Sequence, residues 1–186
     1  MYSSITEICS TALLSLGQEA INDISDPNYR ARLCKGLWPM VLDDELSLHR
    51  WKCAKKRATL AQDAVTPAFG WAYQYQLPND NLRVLSMSDE SVEYEIEGTF
   101  LLTNNSSAKI LYLFRNTVVG TYSPGLVSSL VARLAAELSM PVTKKESVVK
   151  AGWAAYWGKV AQSVAADGQQ GTPVALEDRT LVDAGR

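Results

Sequence analysis

Trp71-Ala72-Tyr73-Gln74-Tyr75-Gln76 alternates large apolar side chains with small or polar ones, and Val92-Glu93-Tyr94-Glu95-Ile96-Glu97 alternates again, with a carboxylate at every second place. A period of two sends successive side chains to opposite faces of a β-strand. One face of the first strand is then aromatic, and Glu93, Glu95 and Glu97 share the solvated face of the second, opposite a core of Val92, Tyr94 and Ile96. Residues 100–103 and 109–114 read as two further strands around a turn at Asn104-Asn105-Ser106-Ser107. From about residue 55 to 121 the chain therefore predicts a small antiparallel sheet of short strands.

Working outward, the period becomes helical on both sides. Ser4 and Glu7 have capping-box spacing. Ile5, Ile8, Cys9, Ala12, Leu13 and Leu16 then form one apolar stripe that Gly17 should end. Asp26-Pro27 suggests a second helix start, with Leu33, Cys34, Leu37, Trp38, Val41 and Leu42 on its buried face and a kink or restart at Pro39. Ser123-Pro124 opens a third helix with Leu126, Val127, Leu130, Val131, Leu134 and Leu138 inward and Pro141 as its end. Thr143 and Glu146 cap a last helix running to about Ala166, with Trp153, Tyr156 and Trp157 as an aromatic stripe that reads either as bundle core or as an intersubunit surface. Gly168-Gln169-Gln170-Gly171-Thr172-Pro173 cannot continue that helix. The expected class is α+β: a helical bundle (1–54 and 122–167), an inserted β module (55–121) and an extended C-terminal tail (168–186).

With 186 residues and 47% apolar side chains, the chain suits one folded domain with a real core, and poorly suits a disordered, collagenous or membrane class. No unbroken apolar run is long enough to span a bilayer. Met1-Tyr2-Ser3-Ser4 lacks the basic and apolar regions of a signal peptide, so a cytosolic start is expected. Cys9, Cys34 and Cys53 form no CxxC pair, and with a single histidine a four-ligand zinc site is not expected. No Gly-rich phosphate loop is present, so no cofactor is expected.

Candidate chemistry is sparse. His49 lies near a helix end without a recognisable orienting carboxylate or nucleophile nearby in sequence. Asp43, Asp44 and Glu45 are consecutive, so on a helix they point in different directions and make a poor acid–base pair. The one basic cluster is Arg50, Lys52, Lys55, Lys56 and Arg57. It reads as a solvated edge, or as a contact for a phosphate backbone or for acidic neighbours in an oligomer. A net charge of −2 argues against tight non-specific DNA binding as the main task.

In order along the chain come the Arg32-Leu33-Cys34 helix with Trp38-Pro39, His49-Arg50-Trp51, and Ala54-Lys55-Lys56-Arg57-Ala58-Thr59-Leu60. Then follow Pro67-Ala68-Phe69-Gly70-Trp71-Ala72-Tyr73, Tyr75-Gln76-Leu77-Pro78 and Leu82-Arg83-Val84-Leu85. This order resembles the tail tubular protein A family, the head-to-tail adaptors (connectors) of short-tailed bacteriophages. The resemblance covers roughly residues 5–165 and is most specific from Trp51 to Leu85, although Lys52 and Cys53 stand where the family often has Asn and Phe. It implies a structural, non-enzymatic virion protein assembled in the host cytoplasm. It implies a homo-oligomeric ring of about twelve copies between portal protein and tail nozzle protein, with genomic DNA passing through the lumen. It also implies that the C-terminal tail docks on the portal, where Val174, Leu176, Leu181 and Val182 are the expected anchors. Glu93, Glu95 and Glu97, if lumen-facing, would repel DNA and let it slide. Two other functions compete: a virion-associated peptidoglycan hydrolase, and a nucleic-acid-binding module centred on Arg50 to Arg57.

Overall fold

The computed structural model describes residues 2–168, so the tail anchors Val174, Leu176, Leu181 and Val182 lie outside the described residues. The fold is mixed α+β. The described residues form helices α1 (Ile5–Ser15), α2 (Tyr29–Leu48), α3 (Pro124–Thr143) and α4 (Glu146–Gly168). Between α2 and α3 run β1 (Lys55–Thr59), β2 (Tyr73–Gln76), β3 (Asn81–Met87), β4 (Tyr94–Glu97), β5 (Phe100–Thr103) and β6 (Lys109–Phe114).

The strands do not form the single sheet that their sequence suggests. They form two antiparallel three-stranded sheets, ordered β1-β6-β3 and β2-β5-β4. Alternation along β6 explains how the layers stack. Leu113 joins the helical core with Leu46, Trp51, Leu126 and Leu130, whereas Ile110 and Tyr112 point the other way. There they meet Tyr75 and Leu101 of the second sheet in a separate core. The first sheet is thus the shared wall between the helices and the second sheet. Trp71 lies just outside β2, and Ile96, expected in the core, is 41% exposed because β4 is an edge strand.

Local signals explain most helix ends. The Ser4 hydroxyl accepts the Glu7 N–H at 3.2 Å, while Glu7 Oε2 accepts from the N–H of Ser3. After α1, Gly17 adopts φ +72°. Bonds from Gln18 N–H to Leu13 C=O and from Gly17 N–H to Leu14 C=O then close a Schellman motif. Ser123 caps α3 as expected. The second helix starts later than Asp26-Pro27 suggests: Asn28 is its cap, accepting the Ala31 N–H at 2.8 Å, while Asp26 closes a turn onto Asp23. Neither internal proline stops its helix. Pro39 sits on the exposed face of α2 between buried Trp38 and Val41, whose packing outweighs one lost backbone bond. Pro141 lies in the last turn of α3, which ends instead at Lys144, φ 54°.

By length and composition α3 could cross a membrane, but about half of its apolar window is buried in the protein, which accounts for its character. Its antiparallel partner is α4. A Cβ placed on Gly152 would lie 3.3 Å from Ala136 Cα, and one on Gly125 would lie 3.2 Å from Ser163 Cβ. Two glycines, one on each helix, thus set the α3–α4 spacing. Gly152→Val should force the helices apart, cost about 1–3 kcal/mol and lower the melting temperature by several degrees. A melting curve identical to the parent's would show that Gly152 does not set the spacing.

Candidate functional site

The acidic triplet on α2 divides among three partners. Asp43 takes both Nε and Nη2 of Arg115, the former at 2.7 Å. Asp44 pairs with Arg133 at 3.2 Å. Glu45 is fully buried and accepts a hydrogen bond from the Tyr156 hydroxyl of α4, while its backbone carbonyl accepts the Trp51 indole N–H at 2.7 Å. Arg133 completes this seam: its guanidinium lies 4.9 Å from the Trp153 ring centre and 5.4 Å from that of Tyr156, and it pairs with Glu137 at 3.0 Å. Burial pushes the Glu45 carboxyl above the usual carboxylate range, against the opposing pull of Tyr156 and Arg133. Burial, then the bond to Glu45, push the Tyr156 phenol up to about 12.

His49 gains a carboxylate that its sequence neighbourhood does not show. Its Nε2 lies 3.3 Å from Asp167 Oδ2, near the end of α4, and its ring meets Trp51 edge-on at 4.9 Å. The nearby Cys53 thiol is pushed up by burial, away from the reactive thiolate. The pair can hold the end of α4 against the end of α2, and it lacks an activated nucleophile among the described residues.

The basic cluster is partly dispersed. Lys56 points to the opposite face of β1 from Lys55 and Arg57, pairs with Asp80 at 2.7 Å and lies 4.2 Å from the Phe114 ring centre. Arg50, Lys52, Lys55 and Arg57 stay near one another: burial and then Lys52 lower the Lys55 pKa, the carboxylate of Asp167 opposes them, and Arg50 and Arg57 lower it further. The register adds two cations that linear reading missed. Lys55, Leu113 and Arg83 lie side by side across the sheet, as do Thr59 and Lys109. Directly paired residues share a face, so Arg83 and Lys109 extend the basic surface. Only the strand pairing carries that information.

Glu93, Glu95 and Glu97 are all exposed, but Glu93 precedes β4. Glu95 accepts the Trp71 indole N–H at 3.2 Å, and pairing places Glu95 and Glu97 beside Leu102 and Phe100 of β5. The aromatic stripe of α4 also splits: Tyr156 is buried, Trp153 is half-buried beside Arg133, and Trp157 is 55% exposed.

Compared with known protein families and with curated proteins, the chain matches none.

The buried seam makes a pH-dependent prediction. An unfolded glutamate titrates near about 4.3. Below that value Glu45 is neutral in both states; as pH rises through its raised folded value, the fold must carry a buried charge, and this group's contribution to stability falls. Glu45→Gln keeps an acceptor for Tyr156. It should match the parent in acid and exceed its stability by on the order of 1 kcal/mol once Glu45 ionises. Tyr156→Phe should cost about 1–3 kcal/mol near neutral pH. Denaturant titrations across pH check both, and a Gln variant less stable at every pH would contradict the assignment.

Proposed function

We propose that this chain is a structural adaptor joining a phage portal to the tail nozzle as one copy of a closed ring, through which genomic DNA passes. The ordered motifs from Trp51 to Leu85 support that reading, and they run from just after α2 through β1 and β2 into β3. The structural observation that favours it most is the outer face of α4. Trp157 is 55% exposed there, beside exposed Ala154, Gly158 and Ala161, and a tryptophan so placed suits a contact between proteins. A ring of identical copies needs a heterologous contact that closes, and an exposed tryptophan on a smooth helix is well suited to one. The segment carrying Val174, Leu176, Leu181 and Val182 adds affinity for the portal once the ring places many copies nearby.

Two measurements test this. A chain ending at Gly168 should be lost from portal-bearing particles, and equal retention of the shortened chain would sink the docking role. Trp157→Glu should reduce ring formation at least about tenfold, as expected for an interface anchor, with an unchanged melting temperature. Native mass measurement with portal present reads it.

A second reading, duplex contact, is favoured by the grouping of Arg50, Lys52, Lys55 and Arg57. Binding by this surface should be weak and salt-dependent. The double variant Arg50→Ala, Arg57→Ala should reduce the salt slope by about 0.9 for each phosphate that is no longer neutralised. An unchanged slope removes this surface from DNA contact.

A further inference from the structure

A groove of about 700 Å³ runs between α3 and α4. Its walls are Val127, Val131 and Ala135 on α3, and Val148, Gly152 and Ala155 on α4. Leu16, just past the end of α1, and Tyr2 also line it. Pro124 and Tyr122 mark one end, and the charged group in the lining is Lys159. An apolar trough of this size is within the usual range for a bound ligand, about 300–1,000 Å³, and is costly to leave open to water.

The point where α4 ends bears on what fills it. Ser163 packs against Gly125 in the first turn of α3, so the last turns of α4 run beside the Pro124 end of the groove. Asp167 is anchored there by His49. The chain continues for 18 residues beyond Gly168, and that stretch carries Val174 and Leu176, followed by Glu177 and Asp178. From Gly168 to Val174 an extended chain reaches roughly 20 Å. The α3 wall from Pro124 to Ala135 is about 16 Å long. Reach, point of departure, apolar spacing and acidic residues matched to Lys159 therefore agree. A tethered segment also meets its own groove at an effective concentration in roughly the millimolar range.

We propose that in the free chain residues 169–182 fold back and seat Val174 and Leu176 in the α3–α4 groove. This concerns the isolated chain and stands apart from the adaptor reading. If both hold, the portal competes with the groove for one segment, and docking on the portal opens the groove.

Trypsin cleavage after Arg179 tests it, at a concentration where native mass shows a single copy. The parent should be cut at least about tenfold more slowly than the full-length variant Val174→Asp, Leu176→Asp, since cleavage tracks the open population. Filling the groove from the other side with Val131→Trp should accelerate cleavage equally. Should Val131→Trp fail to fold, judged by circular dichroism, the segment-side pair decides alone. Equal cutting of parent and double variant overturns the proposal. So does protection that rises with chain concentration, which would assign the segment to a second copy. Equal cutting together with loss of the shortened chain from portal-bearing particles would overturn this inference and leave the adaptor reading standing.

Discussion

The hydroxyl of Tyr156 reaches from α4 to the buried carboxylate of Glu45 on α2, and the placement of the last helix depends on that bond. Close packing through Gly125 and Gly152 ties α4 to α3 alone. Helix α3 is itself fixed by the core it shares with α1 and α2, so the polar links to α2 settle how α4 is turned upon it. Glu45 with Tyr156 at mid-helix, and His49 with Asp167 near the end, give α4 a fixed orientation. A buried carboxylate is a poor source of net stability. Its physical role here is directional: only one rotation of α4 satisfies it, and that rotation leaves Trp157 outside.

The β region extends the same logic. Since β6 sends Leu113 into the helices and Tyr112 into the other core, the central strand of the first sheet is covered on both sides at that point. The second sheet is carried on it. Tyr112 is held by Asp80, which also takes Lys56, so the turn before β3, one cation of β1 and the central strand are tied at one carboxylate. That arrangement removes Lys56 from the basic group and leaves Arg50, Lys52 and Arg57 close enough to Lys55 to act on its charge.

Much of this was legible in the chain. The capping of α1 and α3, the inward stripes of all but the last helix, and the strand segments from residue 94 onward follow from period and cap chemistry alone. Where linear reading failed, a tertiary contact overrode a local preference. Helix α2 runs through Pro39 without restarting, and α3 continues past Pro141 to Thr143. Asp26 gave up the cap to Asn28, and Ile96 lost its core position because β4 is an edge. The candidate seam was invisible in sequence because Glu45 and Tyr156 lie 111 residues apart, and His49 and Asp167 118 apart.

By itself the sequence determined the α+β class and the position of the β insertion between two helical halves. It also determined which side chains could be buried. Those properties arise from periodicity and capping, which act within a few residues. Only the tertiary structure decided that the strands split into two sheets, that Arg83 and Lys109 join Lys55 and Arg57, and that α4 turns Tyr156 inward and Trp157 outward. Each of these depends on pairing between distant segments. Such pairing is selected by the summed packing and hydrogen bonding of the whole chain, and no local pattern carries it.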